Sequence, residues 1–441
     1  MSRYKAYPEY RDSGVEWLGD IPKNWNVISI KRKTSIFNGA TPKSDTAEFW
    51  DGDVSWITPA DLGKEKSPYI VSGGRSITAE GYKSCGTTLV PRGSVVLASR
   101  APIGTLGIAA QDLCTNQGCK SLVADTNLES KFLFYVLLSS TAQLNLLGRG
   151  TTFLELSSDE LGSYKIGFPP LSDQRAIATF LDHETAKIDA LIEKQQRLIE
   201  LLKEKRQAVI SHAVTKGLNP NAPMKDSGVE WLGEVPAHWP LKNYRYATRI
   251  YRGKFGHRPR NDPALYDGIY PFIQTGDVAQ AEKRILDYKQ TLNQRGAAVS
   301  QRFPAGTLVM AIAANIGDTA ILDFEAYAPD SIVGFKPYQD LDLEFLRYSL
   351  MAALPALEQT STQSTQANLN IDRIGSVQAV FPPLAEQLEI VSYLDRLIDG
   401  YAEIEERALV AIETMQERRT ALISAAVTGK IDVRDWQPAA A

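Results

Sequence analysis

Two stretches of the chain repeat apolar residues at helical spacing for more than forty positions each. Residues 172–216 contain neither Gly nor Pro. The sequence therefore predicts one helix with Ser172 as its N-cap, ending at Gly217. The second stretch follows Leu384 and contains one helix-weakening residue, Gly400. At 1.5 Å per residue, a helix of about 42 residues is roughly 63 Å long.

The pattern occurs twice because the chain is a tandem duplication. The segment DSGVEWLG at 12–19 recurs at 226–233, and FPPL at 168–171 recurs at 381–384. Two copies of about 213 residues therefore account for nearly all of the 441 residues. The predicted divisions are an N-terminal globular domain over 1–168, a central long helix over 169–217, a C-terminal globular domain over 218–381, and a C-terminal helix and tail over 382–441.

Both long segments place apolar residues at alternating steps of three and four, which is typical of a coiled coil. Glu184, Gln195 and Lys205 interrupt the first seam. The predicted seam positions are Ile177, Leu181, Ile188, Leu191, Leu198, Leu202, Val209, Ile390, Leu394, Leu397, Tyr401, Ile404, Met415 and Leu422. We expect the two helices to pack on each other, antiparallel if the copies are related by a pseudo-two-fold axis. The alternative is that each helix packs only on its own globular neighbour.

The globular segments mix short apolar runs with Gly, Pro and Thr. Residues 94–98 and 307–311 are apolar and flanked by Gly turns, which predicts buried strands. Residues 132–140 and 345–353 predict short helices instead. The expected fold class is α+β, with two tandem-duplicated globular domains joined by two long helices that form an antiparallel coiled coil.

Composition and charge narrow the classes of function. The net charge of −4 argues against a generally basic nucleic-acid coat protein, and no apolar run approaches the roughly 20 residues of a membrane span. The residues after Met1 include no signal-peptide core, so we expect a cytoplasmic protein without a membrane partner. Cys85, Cys114 and Cys119 are odd in number and lie outside any C-x-x-C, which favours neither a disulfide framework nor a zinc site.

The sequence offers no catalytic constellation. The nucleotide-binding pattern G-x-x-x-x-G-K-[ST] is absent. Phe168 and Phe381 precede the two Pro-Pro pairs, where an amino-directed methyltransferase would carry Asn or Asp. The four histidines are dispersed along the chain. We therefore expect no catalytic residue, metal or cofactor.

Basic charge is concentrated in two windows at equivalent places in the copies. Residues 21–44 and 235–261 contain no Asp or Glu, which suits phosphate contact; the alternative is an ordinary solvated strand face. The predicted basic DNA contacts are Lys31, Arg32, Lys33, Lys43, Arg245, Arg249, Arg252, Lys254, Arg258 and Arg260. Further predicted contacts on expected loops are Thr41, Thr58, Arg75, Arg100, Asn116, Gln117, Gln274, Thr275 and Asn315.

The combined motifs resemble the specificity subunit of type I restriction-modification systems. They are S-G-V-E-W-L-G with P-x-x-W in both copies, N-G-A-T-P-K at 38–43 with W-I-T at 56–58, A-P-I-G at 101–104, and F-P-P-L before each helix. The resemblance spans the whole chain. It implies two target recognition domains that each read half of a split site on double-stranded DNA. It also implies partners: two modification (methyltransferase) subunits docked by the paired helices, and restriction (translocase and nuclease) subunits further out.

The second copy departs from the first at the motifs. It has G-K-F-G at 253–256 where the first has G-A-T-P at 39–42, and A-N-I-G at 314–317 in place of A-P-I-G. Two similar but different domains predict a bipartite, asymmetric site with an unread spacer fixed by the helices. Three alternatives stay open: the specificity subunit of a system without a restriction subunit, a scaffold that binds no DNA, and a single-chain enzyme.

Overall fold

The computed structural model describes residues 4–64, 67–100, 102–149, 154–359, 369 and 371–438; Ala101 of the A-P-I-G motif lies outside the described residues. The chain forms two compact units. Unit 1 comprises Met1–Gln195 with Val410–Ala441, and unit 2 comprises Gln196–Leu409. Each unit contains one globular domain and part of each long helix. None of the described helices is long and apolar enough to span a membrane.

The first copy builds a five-stranded sheet in the order β4-β11-β8-β9-β6 and a three-stranded sheet in the order β10-β5-β7. The strands are β1 Tyr10–Asp12, β2 Asp20–Pro22, β3 Asn26–Ser29, β4 Thr34–Asn38, β5 Trp50–Ile57, β6 Tyr69–Ile70, β7 Arg75–Ile77, β8 Val95–Ala98, β9 Leu106–Ala109, β10 Cys114–Thr115, β11 Cys119–Ala124 and β12 Lys165–Phe168. The helices are α1 Ala79–Lys83, α2 Ser130–Ser139, α3 Thr141–Leu147, α4 Ser158–Ser163 and α5 Leu171–Lys216. The pairs β1-β2 and β12-β3 are separate antiparallel ribbons.

The second copy repeats this arrangement, with a five-stranded sheet in the order β16-β24-β21-β22-β18 and a four-stranded sheet in the order β19-β17-β23-β20. The strands are β13 Met224–Asp226, β14 Glu234–Pro236, β15 Leu241–Asn243, β16 Thr248–Arg252, β17 Tyr266–Phe272, β18 Arg284–Ile285, β19 Gln290–Leu292, β20 Gln301–Phe303, β21 Leu308–Ala311, β22 Thr319–Leu322, β23 Ala326–Ala328, β24 Ile332–Pro337 and β25 Gln378–Val380. The helices are α6 Tyr244–Ala247, α7 Thr275–Gln280, α8 Gln294–Val299, α9 Leu343–Gln359, α10 Ile371–Ser376 and α11 Leu384–Val427. Ribbons β13-β14 and β15-β25 complete it.

The predicted strands and short helices are confirmed. Every residue of β8 and β21 is buried, because each strand lies inside its five-stranded sheet. Helices α2 and α9 cover the two predicted helical runs and bury most of their apolar residues in the main core of their unit. The α+β fold class is confirmed in both copies.

The first long helix differs from the prediction at its start. It begins at Leu171, and the carbonyl of Pro170 accepts hydrogen bonds from the amides of Asp173 (2.9 Å) and Gln174 (3.0 Å). Ser172 is therefore not the N-cap: it lies in the first turn, and its hydroxyl donates to Asp173. The predicted end is confirmed, because Gly217 follows the helix with a φ of 75°, a left-handed conformation that favours glycine.

The two long helices run antiparallel within each unit. In unit 1, Arg419 of α11 pairs with Asp189 of α5 (2.9 Å), whereas Trp436, beyond the end of α11, packs against Phe180 (ring centroids 5.2 Å apart). In unit 2, Lys203 pairs with Glu405 (3.6 Å). Nearer the other end of this pair, Ile210 and Val214 share a core with Ile390 and Leu394.

The buried seam differs from the predicted one near the middle of each helix. Leu191 and Leu198 are 49% and 37% exposed, while the neighbouring Ile192 and Ile199 are half-buried. Ile404 is likewise 43% exposed. Buried predicted positions are Ile177, Leu181, Ile188, Ile390, Leu394 and Leu422; half-buried ones are Leu202, Val209, Leu397, Tyr401 and Met415. The difference is a shift of one residue, which the adjacent apolar pairs Leu-Ile at 191–192 and 198–199 permit.

In unit 1, residues 5–10 contact residues 429–432, which follow helix α11. Lys5 forms a β-bridge with Asp432, and the Tyr10 hydroxyl donates to the carbonyl of Gly429 (3.1 Å). Gly429 and Gly217 both have positive φ. A Cβ on Gly429 would lie 2.3 Å from the Pro22 side chain, and one on Gly217 would lie 3.1 Å from the Trp239 ring. The end of α11 is thus joined to the first copy as the end of α5 is joined to the second.

Candidate nucleic-acid interface

Separate segments of unit 1 meet where β5 ends beside β10. The Asn116 amide donates to the Ile57 carbonyl (2.9 Å), and the Ala40 amide donates to the Thr115 carbonyl (3.0 Å). Trp56 Nε1 donates to the Ala40 carbonyl (3.0 Å). We call this region the unit 1 cluster. The predicted contacts that it brings together are Thr41, Lys43, Thr58, Arg75, Asn116 and Gln117, with Arg100 at its edge.

A partly buried carboxylate organises this cluster. Asp61 accepts hydrogen bonds from the amide and hydroxyl of Thr58 (3.0 and 2.7 Å) and from the amide of Gly74 (3.0 Å). Lys64 pairs with it at 2.8 Å. Burial opposes ionisation of Asp61, but these hydrogen bonds outweigh it and lower its pKa. An ionised Asp61 therefore fixes the start of the loop after β5 to the segment that leads into β7.

Arg75 stacks on a buried tryptophan beside this loop. Its guanidinium carbon lies 3.6 Å from the centroid of a ring of Trp50, which is 5% exposed. Trp50 is fixed by a hydrogen bond from its Nε1 to the Lys43 carbonyl (3.1 Å) and by an edge contact with Trp56. The stacking holds the guanidinium plane in place and leaves Arg75 exposed.

The first basic run lies elsewhere. Lys31 and Arg32 belong to a short 3-10 helix, Ile30–Arg32, and Lys33 pairs with Asp125 at 3.0 Å. At about 3.3 Å per strand residue, the length of β4 separates this run from Gly39 by roughly 20 Å. The structure does not bring Lys31, Arg32 and Lys33 into the unit 1 cluster.

Unit 2 builds the same region from different side chains. The Ile273 amide donates to the Tyr327 carbonyl (2.9 Å), which aligns β17 with β23. The Gln274 amide donates to Asp277 (2.8 Å), as the Thr58 amide does to Asp61. The Gln274 side-chain amide donates to Gln290 (2.6 Å). We call this region the unit 2 cluster. Thr275 adjoins it as the first residue of α7.

Several basic residues of the second window are occupied within the protein. Asp330 accepts two hydrogen bonds from Arg260 (2.5 and 2.7 Å), and its carbonyl accepts one from Arg252 (3.0 Å). Arg258 donates to the Phe255 carbonyl (2.9 Å). Asp330 lies 70 residues or more from these arginines in sequence, so the acid-free window did not reveal it.

The other predicted contacts of unit 2 are scattered. Arg245 donates to the Gly375 carbonyl (3.1 Å) beside α10, at the far end of β16. Arg249 lies over Tyr251, 6.0 Å from its ring centroid. Asn315 occupies the loop between β21 and β22. Lys254, in contrast, adjoins the unit 2 cluster, because its amide donates to the Ala328 carbonyl (3.1 Å) as the Ala40 amide does to the Thr115 carbonyl in unit 1.

Sequence reasoning missed four residues of these regions: Trp50, Asp61, Gln290 and Lys120. Lys120 is buried beside Arg100, and its ammonium group donates to Asn38 (2.8 Å). Burial lowers the pKa of Lys120. Basic windows and expected loops do not include these residues, because three of them lie in strands and Asp61 is acidic.

The described residues contain no group of three or more His, Cys, Asp or Glu side chains that could hold a metal ion. Burial raises the pKa of the Cys114 thiol to about 11 and that of Cys119 to about 12. Neither thiol is therefore ionised near neutral pH.

The chain is similar to known proteins in sequence and in fold. The family model of the type I restriction modification DNA specificity domain matches residues 22–201 and 254–414. The specificity subunit of the type I restriction enzyme MjaIX from Methanocaldococcus jannaschii is 25% identical over 454 residues, covering 99% of each chain. The specificity subunit of EcoKI from Escherichia coli strain K12 is 21% identical and covers 95% of this chain and 91% of its own.

Solved structures share the fold. A chain from a type I restriction-modification assembly has a TM-score of 0.72 at 15% identity, covering 92% of this chain and 98% of its own. The HsdS subunit from Thermoanaerobacter tengcongensis has a TM-score of 0.54 at 17% identity, covering 93% and 98%. The family model matches well over half of the chain, in both copies. The protein therefore belongs to the family of type I restriction-modification specificity subunits, which recognise DNA.

Proposed function

We propose that each unit reads one half of a bipartite, asymmetric DNA site and that the chain itself carries out no chemistry. The observation that supports this proposal is that the two copies share one arrangement of strands and loops but carry different polar side chains on it. Asp61 and Asp277 hold equivalent loops in the two copies. The side chains presented beside them are Thr58 and Arg75 in unit 1, and Gln274 and Gln290 in unit 2. Different donors at equivalent places favour different half-sites.

The phosphate contacts are assigned to basic residues outside the clusters as well as within them. Lys31, Arg32 and Lys43 are exposed at the surface of unit 1. Such contacts position a protein on DNA without reading its sequence. The clusters would then supply the base contacts, and the flanking basic residues the salt-dependent part of the affinity.

The two long helices are proposed to dock the modification subunits, which would supply methyl transfer and its cofactor. In unit 2, Leu198, Leu201 and Leu409 are 37%, 45% and 54% exposed on these helices. Large apolar side chains that lie outside the helix seam suit contact with another protein. A restriction subunit would join this complex in the cytoplasm.

The docking proposal is tested by co-purification. Leu198→Asp with Leu201→Asp should abolish recovery of modification subunits with the tagged chain, because two buried charges would enter the interface. Leu146→Asp is the matched control, since Leu146 is 85% exposed on α3. Recovery by the double variant equal to that of the control would contradict docking at this face.

Site reading is tested with the chain assembled with its modification subunits. The complex is incubated with a library of random duplexes, and the bound fraction is sequenced. We expect two short conserved elements of different sequence, separated by a spacer of constant length and unselected composition. Enrichment of no sequence would contradict DNA reading, and one uninterrupted element would contradict the bipartite arrangement.

A further inference from the structure

Strand pairing identifies one position that is equivalent in the two recognition domains but chemically different. In unit 1, Arg75 of β7 is the Cα partner of Trp56 in β5. In unit 2, Gln290 of β19 is the Cα partner of Phe272 in β17. Trp56 pairs with Cys114 of β10, and Phe272 pairs with Tyr327 of β23, so the neighbouring parallel strand matches as well.

The surroundings of this position match too. Thr58, two residues after Trp56, donates its backbone amide to the Asp61 side chain at 3.0 Å. Gln274, two residues after Phe272, donates its backbone amide to the Asp277 side chain at 2.8 Å. The bulged strands β5 and β17 pair again with the same neighbour, through Trp50 with Ile77 and Tyr266 with Leu292. Arg75 and Gln290 therefore occupy the same place on the same framework.

Arg75 is oriented by stacking on an aromatic ring. Its guanidinium carbon lies over the ring of Trp50, 3.6 Å from the ring centroid. No side chain or carbonyl among the described residues accepts a hydrogen bond from it, although Arg252, Arg258 and Arg260 of unit 2 all find acceptors. A stacked guanidinium leaves its edge free, and that edge presents parallel N–H donors.

Gln290 is oriented by a hydrogen bond instead of by stacking. Its Oε1 accepts a hydrogen bond from Nε2 of Gln274 at 2.6 Å. This bond uses one of the two lone pairs of Oε1 and leaves both N–H donors of Gln290 available. Gln290 is half-buried and Gln274 is exposed, so the paired amides form an edge that carries a donor and an acceptor side by side.

We propose that this position reads one base pair in each half-site, with Arg75 contacting guanine and Gln290 contacting adenine. Two parallel donors match O6 and N7 of guanine, whereas an adjacent acceptor and donor match N6 and N7 of adenine, both in the major groove. The inference rests on the proposed function. The inference extends the proposed function by naming the base that each domain selects and the residue that selects it.

The experiment uses the full chain assembled with its modification subunits and a duplex that carries its selected site. Each position of the site is replaced in turn by the other three bases, and dissociation constants are measured for the wild type and variants. In the wild type, one guanine of the half-site read by unit 1 should be worth roughly five- to 150-fold in affinity. In Arg75→Ala this preference should fall below about threefold, while every preference in the other half-site stays unchanged.

Two further variants test which base each residue selects. Arg75→Gln should shift the preference at that single position from guanine toward adenine, and Gln290→Ala should remove an adenine preference in the other half-site. Arg92→Ala is the matched control: this exposed arginine lies beyond the opposite end of β8 from Arg100. It should leave all base preferences unaltered.

The outcomes separate failure of this inference from failure of the proposed function. If Arg75→Ala weakens binding equally for all sequences and reduces the slope of log K against log salt by about one, Arg75 contacts a phosphate and the inference is wrong. Unchanged binding by Arg75→Ala would also overturn it. If the wild-type complex shows no base preference in either half-site, the proposed function itself fails.

Discussion

Replacing Asp61 by Ala should loosen the unit 1 cluster far more than the equivalent change loosens the unit 2 cluster. Asp61 accepts two partly buried hydrogen bonds from Thr58, at 3.0 and 2.7 Å. Hydrogen bonds to a charged acceptor are each worth about 1.5 kcal/mol or more, so their loss costs about 3 kcal/mol. The exposed bonds from Gly74 and Lys64 add little.

Asp277 provides the matched control. It accepts one exposed hydrogen bond, from the Gln274 amide, so Asp277→Ala should cost no more than about 1 kcal/mol. The assay is hydrogen exchange followed by mass spectrometry on peptides around 56–76 and 272–292. The local cost of 3 kcal/mol corresponds to roughly 150-fold faster exchange in the first peptide. Equal acceleration of the two peptides in their respective variants would refute the reasoning.

The same carboxylate makes the unit 1 cluster sensitive to acid. The hydrogen bonds lower the pKa of Asp61 below its ordinary value of 3.8, despite partial burial. A group whose folded pKa is lowered stabilises the fold above its unfolded pKa, and this contribution is lost as pH falls through the folded pKa. Exchange around 56–76 should therefore accelerate in the acidic range below 3.8 in the wild type, after correction for intrinsic rates, and show no such step in Asp61→Ala.

Two further substitutions test individual contacts. Trp25 Nε1 and one carboxylate oxygen of Asp173 are buried without a hydrogen-bond partner among the described residues, whereas their counterparts Trp239 and Glu386 form a hydrogen bond of 2.9 Å. Asp173→Glu should therefore raise the free energy of unfolding, measured in urea, by about 1 kcal/mol. A decrease of that size would contradict the comparison of the two copies. A Cβ on Gly39 would lie 2.1 Å from the Asn116 carbonyl oxygen, so Gly39→Ala should lower affinity for the cognate duplex at least tenfold. Gly86→Ala, which meets nothing within 4 Å, should leave affinity unchanged, and equal affinities of the two variants would argue against Gly39 as part of the interface.

The architecture could be predicted from the sequence because a duplication repeats its own signals. The buried strands β8 and β21 and the end of α5 before Gly217 all lie where the apolar runs and the glycine place them. The N-cap of α5 was predicted two residues too late, because serine is a preferred N-cap residue, whereas Pro170 occupies that position here. The domain boundaries stay a prediction.

The helix seam shows where periodicity alone is insufficient. Leu191 and Leu198 repeat at seven residues, but so do the adjacent Ile192 and Ile199, and either stripe fits a heptad. The packed helices half-bury the isoleucines and leave the leucines exposed. The choice depends on the rotation of α5 about its axis, which the heptad pattern alone does not specify.

The candidate interface was predictable only in part for a similar reason. The structure brings the predicted loop donors Thr58 and Asn116 into one region, because turn-rich segments converge at strand ends. Their contact with DNA stays a prediction. Gln290 and Trp50 gave no signal, because their significance depends on which strands pair. Arg260 appeared free in its window but is bound by Asp330, which is distant in sequence.

We propose that two different recognition domains read the two different halves of one site. The decisive experiment maps methylated bases in the genome of a host that expresses the chain with its modification subunits, and compares them with a host in which the chain is deleted. We expect methylation at a single asymmetric, bipartite motif with a fixed unread spacer, which disappears on deletion. A palindromic or uninterrupted motif, or methylation that survives deletion, would contradict it.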